Sequence, residues 1–208
     1  MIRKIALAVI ATTAFGAAFA QTSNINLNNA TQTQSGNGSS QIGDIGNNNG
    51  KGSTNVNMHD FTQTQSGNNS GQGAWIGTTW WGSTGTSNVT VNDVKQSQSG
   101  SNANQYMSLG NVSGSGTSHV TANDVTQTQS GGNGAWQGMD VGYVWGSGTS
   151  NVALHDIKQT QSGSGANTTQ YMAIGNAGNG RSKVKMNDVT QSQSGNGSSQ
   201  SLWIGSTY

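Results

Sequence analysis

"NDVKQSQSG", Asn92 to Gly100, is one of six near-copies of a single phrase. The others are NNATQTQSG (Asn28–Gly36), HDFTQTQSG (His59–Gly67), NDVTQTQSG (Asn123–Gly131), HDIKQTQSG (His155–Gly163) and NDVTQSQSG (Asn187–Gly195). A catalytic constellation is not written six times in one chain, whereas a repeated surface or interior is. The first glutamine of each phrase falls at Gln32, Gln63, Gln96, Gln127, Gln159 and Gln191, a spacing of 31 to 33 residues. A constant period over most of a chain marks a stacked repeat.

Each repeat has two arms with strand character. In the first, Val89-x-Val91 and Val94-x-Gln96-x-Gln98 alternate with period two. The phase slips at Asn92-Asp93, because Val91 and Val94 are three residues apart. Turn-prone Asn-Asp there predicts a bulge or corner that keeps both apolar sets facing inward. The second arms read QIGDIG, AWIG, QYMSLG, AWQGMDVG, QYMAIG and SLWIG, joined by Gly/Ser/Asn stretches such as VSGSGTS. Glycine supplies the left-handed backbone of tight reversals, and no sustained three-to-four spacing of apolar residues supports a helix.

The pattern therefore predicts an all-β fold, a β-solenoid of six turns of about 32 residues with open, stackable ends, cross-β when polymerised. Equivalent residues stack at about 4.8 Å. One apolar ladder runs through Val56, Val89, Val120, Val152 and Val184, and another through Phe61, Val94, Val125, Ile157 and Val189. Glutamine is costly in an interior when its amide lacks partners, but a stacked column lets each amide bond the next. The expected columns are the six phrase glutamines named above and, in the second arm, Gln72, Gln105, Gln137, Gln170 and Gln200.

A longer rhythm is present. Turns 3 and 5 share Lys95/Lys158 and a QYM triplet, while turns 2, 4 and 6 share Thr62/Thr126/Thr190 and a tryptophan (Trp75, Trp136, Trp203). This predicts a two-turn unit in which aromatic turns alternate with Tyr-Met turns in the core. The phrase aspartates Asp60, Asp93, Asp124, Asp156 and Asp188 form a column of like charge, with Asn29 in its place in turn 1. Neighbours about 5 Å apart in water repel by roughly 1 kcal/mol, and Lys95 and Lys158 stand on the same face to offset it. The residue type suits an arc position; a cation column and a pH-sensitive brake on assembly are the other readings.

Composition bounds the rest. MIRK, an apolar run from Ile5 to Ala17 and Ala18-Phe19-Ala20 read as a secretory signal over residues 1–20, leaving 21–208 as one repeat domain. That run is too short to span a membrane. Loss of Arg3 and Lys4 leaves six basic residues against seven acidic, a formal charge of −1, which argues against nucleic acid or anionic lipid as partners. Cysteine, proline and glutamate are absent, so there is no disulfide framework and ligand sets for metals are poor. No cofactor and no enzymatic activity are expected. His59, His119 and His155 read as surface residues, and the Asn-x-Ser/Thr sites at Asn68, Asn88, Asn111 and Asn167 as chance.

The phrase with its second arm, best seen in SNVTVNDVKQSQSGSNANQ (Ser87–Gln105), resembles the curlin repeats of bacterial curli. The period here is longer than in curlin, through the Asn-Asp insertion and the Gly/Ser arcs. The resemblance implies a secreted subunit that is exported through a periplasm and an outer-membrane pore, meets a nucleator and polymerises into amyloid fibres of the cell surface and biofilm matrix. It also implies that the inward Gln columns are structural.

The function expected is thus a self-assembling adhesive fibre subunit. The turns at both ends look like templates for another copy, and the basic group Arg181, Lys183 and Lys185 in the last turn reads as an end contact, an anchor or a gatekeeper. The alternatives are a monomeric solenoid adhesin and an ice-binding array built on Thr31/Thr33, Thr62/Thr64 and Thr126/Thr128. Trp80 and Trp81 read either as arc packing or as an adhesive, carbohydrate-stacking patch.

Overall fold

The computed structural model describes residues 21–35, 40–49, 51–66, 71–99, 104–130, 134–162, 167–195 and 197–206, without the side chains of Gln21, Gln34, Asn49, Trp81, Gly82 and Ser83. The signal reading for residues 1–20, Asn68 and the Trp81 side chain lie outside this set. Turn 1 contributes β1 (Gln21–Ser35), β2 (Ser40–Ile45) and β3 (Asn48–Asn49). Turn 2 contributes β4 (Gly52–Ser66), β5 (Gly71–Ile76) and β6 (Thr79–Ser83). Turn 3 holds β7 (Thr86–Ser99), β8 (Asn104–Leu109) and β9 (Val112–Gly114). Turn 4 holds β10 (Thr117–Ser130), β11 (Trp136–Val141) and β12 (Val144–Trp145). Turn 5 holds β13 (Thr149–Ser162) and β14 (Thr169–Ile174), and turn 6 β15 (Arg181–Ser194) and β16 (Ser199–Ile204).

These strands stack into a β-solenoid with three sheets. The long strands form one six-stranded sheet in the order β1-β4-β7-β10-β13-β15, and the middle strands a second, β2-β5-β8-β11-β14-β16. The short strands form a four-stranded third, extended by a bridge from Val144 to Ala177. All pairing is parallel and, along both large sheets, in register with the repeat: Val56 pairs Val89, Val89 pairs Val120, Val120 pairs Val152 and Val152 pairs Val184. Phe61, Val94, Val125, Ile157 and Val189 form the second predicted column. The six rungs enclose five full circuits of the chain, so each end rung lacks a neighbour on one side among the described residues.

The predicted phase slip is a bulge. Asp60, Asp93, Asp124, Asp156 and Asp188 all have φ between +49° and +54°, and Asn29 has +55°. The strand pairing of every rung skips this residue, as between Asn92↔Asn123 and Val94↔Val125. Asp and Asn tolerate the left-handed region better than other side-chain-bearing residues, which explains the residue choice. The extra residue restores the inward face, so Val89, Val91, Val94, Gln96 and Gln98 of β7 are all buried.

The core lies between the long and middle sheets. The middle sheet contributes Met107, Met139 and Met172 beside Leu109, Val141 and Ile174. A tight corner follows each middle strand, at Gly46, Gly77, Gly110, Gly142, Gly175 and Gly205, with φ between +60° and +64°. At Gly110 a Cβ would also lie 2.5 Å from Val120 Cγ2. The corner carbonyls are tied to the next turn by serine hydroxyls, with Ser118 Oγ donating to Gly110 O at 2.6 Å and Ser150 Oγ to Gly142 O at 2.6 Å.

One expectation is corrected. Trp75, Trp136 and Trp203 are not core residues alternating with Tyr-Met turns. They face outward from the middle sheet, and Trp136 pairs with Asn104 while Trp75 pairs with Ser108. Gly73 and Gly138 make the room: an added Cβ would meet the Trp75 ring at 2.5 Å and the Trp136 ring at 2.4 Å. The two-turn rhythm thus shapes the outer face, where the rings lie across glycines beside Tyr106 and Tyr171. Of each Tyr-Met pair, the core takes only the methionine.

Candidate functional site

Two amide ladders run the length of the stack, and a third runs from turn 2 to turn 6. In the first, Gln63, Gln96, Gln127, Gln159 and Gln191 each donate Nε2–H to Oε1 of the preceding rung, beginning at Gln32, at 2.8 to 2.9 Å. Each also reaches a carbonyl of the middle sheet, as Gln96 does at Tyr106 O, 3.0 Å away. The second-arm column has the same sense: Gln72, Gln105, Gln137, Gln170 and Gln200 donate rung by rung down to Gln41. The sequence reading omitted Gln41, and it omitted a third ladder through Gln65, Gln98, Gln129, Gln161 and Gln193. The second glutamine of Gln-x-Gln is the signal for that ladder, since it shares the inward parity of the first.

The ladders are polar. Every amide-to-amide bond within them points toward turn 1, so the turn 1 end presents donors and the turn 6 end acceptors. The Nε2 of Gln41 is buried and unpartnered among the described residues, whereas Gln200 Oε1 lies on the outermost rung at the other end. Exposed Leu202, Trp203 and Ile204 line that far edge, and Ile25, Leu27 and Ala30 are only partly buried on the near one.

The outer face of the long sheet carries the charges. Arg181, Lys183 and Lys185 alternate along β15 and share its exposed side. Lys95 and Lys158 make no ion pair with the aspartate column among the described residues, so the predicted offset has no contact behind it. They do break the threonine array, since Thr62 pairs Lys95 and Lys95 pairs Thr126, with Lys158 next. His155 Nδ1 lies 2.5 Å from Asp156 Oδ2, and with Asp188 their ligand atoms fall within 4.8 Å of one another, all exposed. Stacking brings His155 to Asp188, a pairing the sequence reading did not draw. His59 and His119 contact Asn92 and Asn151 in separate columns.

The outer face of the middle sheet is aromatic. Tyr106 stacks on Trp136 with centroids 5.8 Å apart and lies 5.6 Å from Trp75, and Tyr171 meets Trp203 edge-on at 5.5 Å. The Tyr106 hydroxyl donates to Asp140 Oδ2 at 2.6 Å. Burial pushes the Asp140 carboxyl above its ordinary range, and hydrogen bonds from Tyr106 and Tyr171 pull it partly back. Burial, then the nearby Asp140 charge, push the Tyr106 phenol upward as well, so it stays a donor.

Where the middle sheet turns into the third sheet, a groove is lined by Trp80, Trp145, Tyr106, Ser108 and Asn111. No family model, curated protein or solved structure matches this chain.

Proposed function

We propose that this protein is the subunit of a secreted, curli-like extracellular fibre that grows by head-to-tail stacking of solenoids. One observation carries the reading. The buried Gln41 Nε2 has no acceptor among the described residues at the turn 1 end, and the ladder it heads ends in Gln200 at the other. A second copy placed below turn 1, its last rung against Gln41, supplies that acceptor and continues the glutamine columns. An unpaired buried amide costs about 1–3 kcal/mol, which stacking recovers. Like-to-like end contact would face donors with donors, so the polarity selects one growth geometry.

The two-turn rhythm agrees with it. Six rungs hold three complete pairs, so turn 6 followed by turn 1 keeps odd and even turns in phase. Edge strands such as β15 and β16 are ready-made templates for pairing, and stacking also covers Leu202 and Ile204. Adhesion, biofilm matrix, a nucleator and an outer-membrane pore belong to the same reading by the curlin resemblance. The lysine interruptions of the threonine array weigh against ice binding.

The test is dilution of the denatured chain into buffer, followed by electron microscopy and fibre diffraction. Unbranched fibres with a meridional reflection at about 4.7–4.8 Å are expected. A β-rich chain that stays monomeric at high concentration overturns the reading in favour of a monomeric adhesin.

A further inference from the structure

The aromatic face of the middle sheet is one stripe that runs along the stack and ends on apolar side chains. The outward column beginning at Ile42 continues through Gly73, Tyr106, Gly138, Tyr171 and Ser201. Turns 3 and 5 fill it with tyrosine. Turns 2 and 4 leave it to glycine, and the Trp75 and Trp136 rings occupy the gap. In turn 6, Trp203 stands two positions beyond Ser201, as Trp75 does beyond Gly73, and its edge-on contact with Tyr171 places its ring toward the same column. Trp203 is 47% exposed and Ile42 56%. Single exposed apolar residues are ordinary on a protein surface, but these two terminate one stripe, at opposite ends of the solenoid.

The long sheet is complementary in charge. β15 is the most charged of the long strands, with Arg181, Lys183, Lys185 and Asp188, and β1 has no charged residue. Extending the strand register by one step, from turn 6 of one copy to turn 1 of the next, sets Arg181 opposite Thr22, Lys183 opposite Asn24 and Lys185 opposite Asn26. Asp188 falls opposite Asn29, the uncharged member of the aspartate column. Like charges directly opposite across strands are destabilising, and this step creates none. In the middle sheet it sets Ser199 opposite Ser40, Gln200 opposite Gln41 and Ser201 opposite Ile42. Trp203 falls opposite Asp44, a neighbour that Trp75 already has within the chain. A slip of two residues brings Leu202 in place of Gln200 beside Gln41 and breaks the amide column.

We propose that turn 6 of one copy docks on turn 1 of the next in this register, with the Trp203 ring packed against Ile42 as the apolar anchor of the junction. The contact rests on the fibre reading and adds to it the register and the two side chains that hold it. Removing two exposed apolar groups from water against each other is favourable, and tryptophan is among the residues enriched at the anchors of protein interfaces. The outer face of the middle sheet then carries an unbroken apolar stripe across the junction, as the glutamine columns do inside.

The chain has no cysteine, so engineered thiols report the register without competition. Ser40 and Ser199 lie outside the anchor, and neighbouring strands sit about 4.8 Å apart, inside the Cα range of a disulfide. An S40C chain and an S199C chain are mixed, assembled by dilution from denaturant and oxidised. A disulfide-linked dimer of one chain of each kind is expected, with none from either variant alone. W203A and I42A are each expected to raise the concentration needed for assembly about tenfold. The two together cost little more than either, and W203F recovers part of the loss. W145A, whose exposed ring lies on an inner turn, assembles as wild type. Circular dichroism checks the fold; should W203A fail to fold, I42A decides, since it alters the other end. Fibres without the mixed disulfide, a disulfide between S40C and S201C instead, a disulfide from S199C alone, or unchanged assembly in W203A and I42A overturn the junction and leave the fibre reading standing. A wild-type chain that stays monomeric overturns both.

Discussion

Gln96 Nε2 donates at once to Gln63 Oε1, 2.8 Å away on the rung below, and to Tyr106 O, 3.0 Å away on the facing sheet. One side chain therefore ties neighbouring turns together and joins the two walls of the core. Gln127 in turn donates to Gln96 Oε1 at 2.8 Å. Replacing Gln96 by Leu strips the buried Gln63 oxygen and the Tyr106 carbonyl of a donor. At about 1–3 kcal/mol for each unsatisfied buried group, a loss of about 2–6 kcal/mol is expected, measured by denaturant unfolding. Under the fibre reading, Q96L/Q127L/Q159L also grows slowly or out of register, and unchanged elongation kinetics would count against inward amide ladders as the growth template.

Gly110 Cα carries two constraints, a left-handed φ of +64° and a neighbour, Val120 Cγ2, 2.5 Å from where a Cβ would stand. Gly110→Ala is expected to cost about 1–2 kcal/mol for the backbone region and about 1–3 kcal/mol for overpacking. Gly134, where a Cβ would meet nothing within 4 Å, has φ +75° and pays only the first. Thermal unfolding of G110A and G134A should separate the two contributions.

Deleting Asp93 should be far worse than replacing it. Asp93→Gly keeps the bulge and is expected to change stability by less than about 1 kcal/mol, since glycine populates the left-handed region freely. Deletion slides Val94, Gln96 and Gln98 by one position and turns that set to the solvent side. Loss of cooperative unfolding in the deletion, with a near-native D93G, is the expected pair of results.

Asp140 gives a pH dependence of defined sign. Burial raises its folded carboxyl above the unfolded value, so its contribution is fully present below the ordinary carboxylate range. That contribution is lost as pH rises through the folded pKa. Asp140→Asn, which keeps an oxygen for Tyr106, should flatten this part of the profile and raise Tm at neutral pH relative to wild type. A wild-type Tm that rises across the same window, unchanged in D140N, would contradict the assignment.

The valine column from Val56 to Val184, the six-rung column of Gln, and the bulge at Asn92-Asp93 were all legible in the residues. Each depends on a period of two or of about 32 residues, and stacking in register turns such a period directly into contact. The aromatic face was not legible. Trp75 and Trp136 look alike in a repeat table, but they occupy different columns four positions apart, and a ring lies where a glycine beside it leaves room. The orphaned Nδ2 of Asn176, the junction of His155 with Asp188, and the common sense of every glutamine ladder arise between turns. Sequence by itself determined the strand pattern and the stacking register, because those follow from local alternation repeated at one period. Tertiary structure alone decided which faces close into a groove and which polar atoms are left over, because those depend on how three sheets meet at a corner and not on any one of them.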